Sequence, residues 1–356
     1  MPVLPTPRGP VSEQLLAALR RLPHDLEDIT PVEVADPLAD EDLQLALYVC
    51  YELHYHGFES VPDTWEWQPS VLALRGRLEA QFECALRDLV SWVPGCASPE
   101  DSDLALREIL QADDGPSLSR YLARRGTEEQ LLEFMVHRSA YQLKEADPHS
   151  WAIPRLTGRP KAALVEIQAD EYGGGRADRI HSDLFARSME AVGLDGEYGA
   201  YLDHIPGVTL ATVNLVSFFG LHRRLRGCLV GHLALFEMAS SIPSRRYADA
   251  LRRLGWEEAT GFFDEHVEAD AVHENIAAVD LAGGLMAQDP RLAGDVMFGA
   301  RALLALDARA AEHLSRAGGQ ARTLCGVPCP PPCSPSRVRL RCRRRGIPAR
   351  WALERR

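Results

Sequence analysis

Two imidazoles and a carboxylate recur at helical spacing in the run Phe262-Phe263-Asp264-Glu265-His266-Val267-Glu268-Ala269-Asp270-Ala271-Val272-His273. At about 100° per residue, His266, Asp270 and His273 fall within roughly 60° of one another on a helix. Phe262, Phe263 and Ala277 extend the same stripe, so this face points into the core; Glu268 lies opposite, with Glu265 and Glu274 flanking. Burying such a row is costly unless something compensates for it. A metal ion would do so. For His-x3-Asp-x2-His taken alone, a satisfied hydrogen-bond network explains the pattern equally well.

Further carboxylates stand on apolar faces. Glu237 shares its face with Val230, Leu233 and Ala234, and Glu171 lines up with Leu164 and Ile167 while Glu166 and Asp170 point away. Such a carboxylate is either protonated or bound to a cation. Gly173-Gly174-Gly175 breaks the helix after Glu171, and His181 then opens a face with Leu184, Phe185 and Ser188. Glu145 sits near a predicted helix end with Tyr141 and Phe134, where Arg138 offers a structural salt bridge as the alternative. The candidate ligands are thus Glu145, Glu171, His181, Glu237, His266, Asp270 and His273. Carboxylates with imidazoles and no thiolate suit iron or manganese. Four negative charges balance two divalent ions, which favours a dinuclear site. The paired Glu-x-x-His of ferritin-like di-iron proteins is absent from the chain.

These residues need helices to carry them. Helical patterns run over Glu41–His56, Val71–Val93, Asp103–Gln111, Thr127–Glu145, Arg159–Glu171, Ala177–Val192, Val208–Phe219, His222–Ser240, Ser244–Leu254, Glu257–Leu281 and Arg291–Leu314, with a short helix near Ser12–Arg21. Ser244 reads as an N-cap, Gly255 lies just past a helix end, and Gly220 closes an apolar helix. No alternating strand pattern or repeat appears. The expected architecture is all-α: an extension over 1–39, one helical domain over 40–316, and an Arg/Pro/Cys-rich tail over 317–356 with no hydrophobic periodicity.

The chain carries a net charge of -12. Gly318–Arg356 holds ten Arg and one Glu, or +9, so the rest stands at -21 (-12 minus 9). An acidic body speaks against nucleic acid as the partner. No apolar run reaches the roughly 18 residues of a membrane span, and Met1-Pro-Val-Leu-Pro lacks the parts of a secretory signal. A cytoplasmic protein is expected. Cys50, Cys84, Cys96 and Cys228 read as small apolar residues, and Cys325, Cys329, Cys333 and Cys342 of the tail match no zinc or redox spacing.

Glu166-Ile-Gln-Ala-Asp-Glu171-Tyr-Gly-Gly-Gly, then His181, then Gly231-His-Leu-Ala-Leu-Phe-Glu237, then Glu265-His266 to His273, resembles the haem-oxygenase-like di-metal oxidases and oxygenases, whose bacterial members are called iron-containing redox enzymes. The resemblance extends from about Asp40 to about Ala310. It implies a haem-oxygenase-like helical bundle, two iron ions (iron with manganese as the alternative), and dioxygen activation on a small organic substrate. The spacing is most similar to amine N-oxygenating members, so the resemblance suggests an amine or amino-acid derivative. It also supports Glu145 as the earliest ligand, 26 residues before Glu171. Expected partners are a small molecule and dioxygen, with no nucleic acid and no membrane, and a homodimer as the candidate assembly. One alternative is a haem-binding or haem-degrading protein of the same fold, with His54 or His56 as axial ligand; another is a non-catalytic helical interaction module. Tyr172, Trp151 and Phe218 are pocket or core aromatics, Arg223 and Arg226 hold a substrate carboxylate or surface salt bridges, and His149, His204, His222 and His232 read as structural.

Overall fold

From Val208 to Gly220 every residue except Thr212 is buried, in a helix without a polar face: α10 (Gly207–Leu221). A helix apolar all round must be wrapped by others. Its neighbours include α2 (Glu41–Glu52), which is buried from Leu43 to Glu52, and α14 (Ala293–Gly318). The Asn214 amide donates to the Gln44 carbonyl at 2.9 Å and its side-chain oxygen at 2.7 Å, pinning α10 to α2. The computed structural model describes residues 1–318, apart from 27, 28, 30, 32, 91–97, 114 and 116; of 270, 271 and 316–318 it describes the backbone only. Helices make up 75% of the structure, which sets the all-α, haem-oxygenase-like bundle class. No strand occurs among the described residues.

The long helix α11 (Arg226–Arg253) is the spine, lying against α14, α5 (Leu118–Arg125) and α12 (Gly261–Asn275). Where α11 and α14 cross, a methyl group on Gly231 would overlap the Val296 carbonyl, and one on Gly299 would overlap the Cys228 carbonyl. The two backbones touch because both side chains are absent. α1 (Pro10–Leu19) inserts fully buried Leu15, Leu16 and Leu19 against α2. α3 (Pro69–Leu89) and α4 (Ser102–Gln111) complete that side, and α6 (Glu128–Gln142), α7 (Asp147–Ser150), α8 (Gly158–Glu171) and α9 (His181–Ala191) the other.

Several boundaries differ from the sequence expectation. Ser244 is not an N-cap: α11 continues through Pro243, because Glu237, Met238, Ser244, Ala248 and Leu251 form one buried stripe across it. That burial outweighs the roughly 3 kcal/mol a mid-helix proline costs. Gly220 lies inside α10 rather than beyond it, close against the Pro148 carbonyl. Gly255 does follow the end of α11, at φ 85°. Beyond α12 the chain widens into a π-helix, Ile276–Gly283, before α13 (Gly284–Gln288). α5 carries no signal that the sequence reading used. Cys50, Cys84 and Cys228 are free thiols; Cys96, the four tail cysteines and the expected tail beyond residue 318 lie outside the described residues. Among those residues no helix is long and apolar enough to cross a membrane.

The α11–α14 crossing yields a direct test. Gly231→Ala or Gly299→Ala forces two backbones apart, so each should lower stability by about 3 kcal/mol or more. Ala234→Ser, which adds one atom to a buried position on the same helix, should cost less. Urea denaturation of the three variants ranks them.

Candidate metal centre

Four helices and one turn bring side chains together beside the main hydrophobic core and a second cluster built on Phe134, Phe185 and Phe262. Glu171 is the last residue of α8. The three glycines that follow take left-handed φ values of 73°, 60° and 83°, open to glycine at little steric cost. They turn the chain so that His181, ten positions on, begins α9 facing back at Glu171. His266 and His273 come from α12 and Glu237 from α11. Glu145 differs from expectation: α6 ends at Gln142, and Glu145 occupies the turn before α7.

The six side chains form two groups. Ligand atoms of Glu145, Glu171, His181 and His266 lie within 4.8 Å of one another, and so do those of Glu171, Glu237 and His273. All six residues are buried, and Glu171 belongs to both groups. Glu171 Oε2 is 2.9 Å from His181 Nδ1, His266 Nε2 is 3.4 Å from Glu145 Oε2, and His273 Nδ1 is 3.4 Å from Glu237 Oε2. Yet both oxygens of Glu145, Glu171 Oε2, His181 Nδ1 and His273 Nδ1 are enclosed without a hydrogen bond. Close approach without hydrogen-bond geometry, at atoms that would otherwise be expensive to bury, is what co-ligands of an ion look like. The donor set of carboxylate oxygens and imidazole nitrogens fits iron.

Outer partners aim two of the imidazoles. His266 Nδ1 donates to the Phe262 carbonyl at 2.8 Å, which turns Nε2 towards Glu145. His273 Nε2 donates to Asp170 Oδ2 at 3.0 Å, which turns Nδ1 towards Glu237. Such carboxylate–histidine pairs fix ring orientation and raise ligand basicity. Burial pulls His273 down, but Glu237 and Asp170 more than offset it and lift its pKa to about 9. Burial raises Glu237, and the facing His273 only partly opposes this. Glu171 is pushed up by burial but held below the usual carboxylate range by His181 and the other two imidazoles. Burial lowers His181 too, and Glu171 reverses that.

Asp170 is the contact to the candidate site that the sequence does not announce. Its side chain is 62% exposed, as the reading placed it, but its oxygen reaches back to the site; its position beside Glu171 was the available hint. Asp270 falls on α12 between the two histidines, but its side chain lies outside the described residues. The expected alternative of an Arg138–Glu145 salt bridge does not form; Arg138 lies over the Tyr141 ring instead. His54 and His56 follow α2 instead of riding on it. His54 bonds Glu66 and Arg75, and His56 faces Asp147 at 3.5 Å, which leaves neither placed as a haem ligand. Buried His149 and His232 meet each other at 3.1 Å, and His222 meets Glu79 at 2.9 Å. Arg226 pairs with Asp289, Phe218 packs edge-on against Phe82 in the core, and Tyr172 bonds Asp147 near the surface.

The turn carrying Glu145 is held from the preceding residue. Lys144 Nζ donates to Glu52 Oε2 at 2.9 Å with both side chains almost wholly buried, and the Tyr48 and Tyr55 rings lie within 4.8 Å of the ammonium. Tyr198 donates to the same Glu52 oxygen at 2.6 Å. On the far side, a cavity of about 660 Å³ reaches Glu145 and His266 between Phe236, Phe262 and Tyr141.

Residues 132–308 match the family model of the iron-containing redox enzymes, and through that segment the chain belongs to this family. The segment holds all seven candidate ligands. Among characterised relatives, nitrosourea synthase of Streptomyces achromogenes subsp. streptozoticus is 29% identical over 168 residues. The match covers 47% of this chain and 36% of the relative, so the chain spans about a third of that protein's length.

Two substitutions separate scaffold from site. Lys144→Met leaves Glu52 buried and unpaired and should cost about 3–5 kcal/mol. Glu145→Gln removes a buried charge whose oxygens have no partner, so it should raise the melting temperature of metal-free protein while weakening metal binding. Thermal melts with and without ferrous iron distinguish the two.

Proposed function

We propose that this chain is a non-haem di-iron oxidase or oxygenase that uses dioxygen on a small organic substrate. The observation that carries the reading is that buried Glu171 is common to two carboxylate–imidazole groups. Glu145, His181 and His266 would hold one ion, Glu237 and His273 the other, and Glu171 would lie across both. Asp270, one turn beyond His266 and three residues before His273, would complete the second set. Bound ferrous ions would supply the electrons for dioxygen reduction. The carboxylates balance the ions' charge, and Asp170 and the Phe262 carbonyl keep His273 and His266 oriented. Phe185 and Phe262, both fully buried, exclude water from this side. A nitrogen-bearing substrate, an amine or amino-acid derivative, is in keeping with the family resemblance and with the name of the nitrosourea synthase relative.

Anaerobic titration with ferrous iron should saturate near two ions per chain, and His273→Ala should reduce this to about one while helical content stays intact. The loaded protein should consume oxygen faster than the same iron in buffer. Saturation of the unaltered chain at one ion, or oxygen uptake no faster than that of buffered iron, rejects the reading.

Metal uptake should also release protons. In metal-free protein His273, with its pKa at about 9, is protonated at pH 7. An ion must displace that proton from Nδ1, so affinity should climb with pH up to about 9 and fall below it. Calorimetric titrations in buffers of different ionisation enthalpy count the protons; none released at pH 7 would contradict the assignment of Nδ1.

A further inference from the structure

Arg138 is a half-buried cation on α6 that lines the same cavity as Glu145 and His266. Among the described residues it forms no ion pair, and its guanidinium lies 5.8 Å from the Tyr141 ring centre. Arginine at the wall of a cavity normally finds a carboxylate. Asp307 also lines the cavity and lies near enough to feel Arg138, yet the two do not pair, and burial pushes the Asp307 carboxyl up. His137, Tyr141 and Gln142 beside it also line the cavity, and each has one enclosed polar atom without a hydrogen-bond partner: Nε2, the hydroxyl and Oε1. A cavity with an unpaired cation and three unsatisfied polar atoms is incomplete as it stands.

We propose that Arg138 is the carboxylate anchor of the substrate, so that the cavity takes an elongated organic acid. The acid binds the guanidinium through its carboxylate, and its stem runs over Tyr141 and Phe236, whose rings lie 5.4 Å apart. Its far end comes up to Glu145 and His266. α6 rises about 6 Å from Arg138 to Gln142, and the turn that bears Glu145 follows, so the two stand more than one helical turn apart. That span sets the length of the molecule and excludes acids as short as acetate from reaching both ends. This assignment rests on the oxidase reading for what happens at the far end, but not for binding.

The test therefore reads binding. ω-Phenyl carboxylates from phenylacetate to 6-phenylhexanoate, and the neutral amide of each, are titrated calorimetrically into the full chain, metal-free and loaded anaerobically with ferrous iron. At least one acid should bind ten- to a hundredfold more tightly than its amide, the range expected of a charge-assisted hydrogen bond. Arg138→Met should remove that preference without lowering the melting temperature much, since no ion pair is lost. Arg138→Lys should keep part of it, and His273→Ala should keep all of it. Equal binding of acid and amide, a preference that survives Arg138→Met, or no binding by any acid overturns the assignment. A preference that appears only with iron and persists in Arg138→Met puts the carboxylate on the metal and overturns it too. Should Arg138→Met not fold, the acid-to-amide ratio in the unaltered chain and in Arg138→Lys still decides. Failure of the iron reading would instead show in stoichiometry and oxygen uptake, leaving the acid preference in place.

Discussion

Three carboxylates brought together inside a hydrophobic core repel one another and forfeit their hydration, and the rest of the structure is arranged around that cost. Glu145, Glu171 and Glu237 are each at most 6% exposed. Facing imidazoles offset part of the charge, most clearly at Glu171. They do not satisfy the oxygens of Glu145, and burial still pushes Glu237 towards its neutral form. A core arranged this way is preorganised for cations at the expense of its own metal-free stability.

Holding such a cluster requires a frame that does not relax around it. The α11–α14 crossing provides one, because glycine at 231 and 299 lets the two backbones touch and fixes the height of Glu237 on the spine. The buried Lys144–Glu52 pair does the same for the turn that bears Glu145. A buried ion pair is a poor source of net stability. Its use here is geometric: with an ammonium ringed by tyrosines on one side of the peptide link, the next side chain has little freedom but to point at the site.

Much of the site was legible in the sequence because it obeys helical periodicity. His266 and His273 share an apolar stripe, Glu237 and Glu171 interrupt two others, and a carboxylate on such a face has few explanations. What periodicity could not supply lies where the helix stops or deforms. Glu145 stands in a turn that a continuous pattern from Thr127 conceals, and Pro243 looks like a boundary because the stripe that overrides it belongs to the tertiary fold. The π-helix after Asn275 has no signature that spacing alone reveals. Asp170 faces outward by exposure, yet its oxygen ends against the buried His273 ring, a contact that periodicity does not encode. Asp270 was placed by the same periodicity that placed its two neighbours.

The two groups are unequal, and the inequality follows from their supports. The first draws on a turn, α8, α9 and α12, with His181 and His266 already 4.5 Å apart ring to ring and His266 packed on Phe262. His266 is oriented by the Phe262 carbonyl, and the turn bearing Glu145 is held by Lys144, before any ion arrives. The second has Glu237 and His273 to itself and shares Glu171 with the first. His273 lies three residues ahead of the π-helix, whose small residues Ala277, Ala278, Ala282 and Gly283 are all buried. Its ring is held from outside by a largely exposed aspartate, a weaker clamp than a backbone carbonyl in the core. Preorganisation sets how much of the binding energy survives as affinity. On the two-ion reading proposed above, the first group should therefore fill before the second, and the carboxylate they share should carry the effect of the first ion to the second.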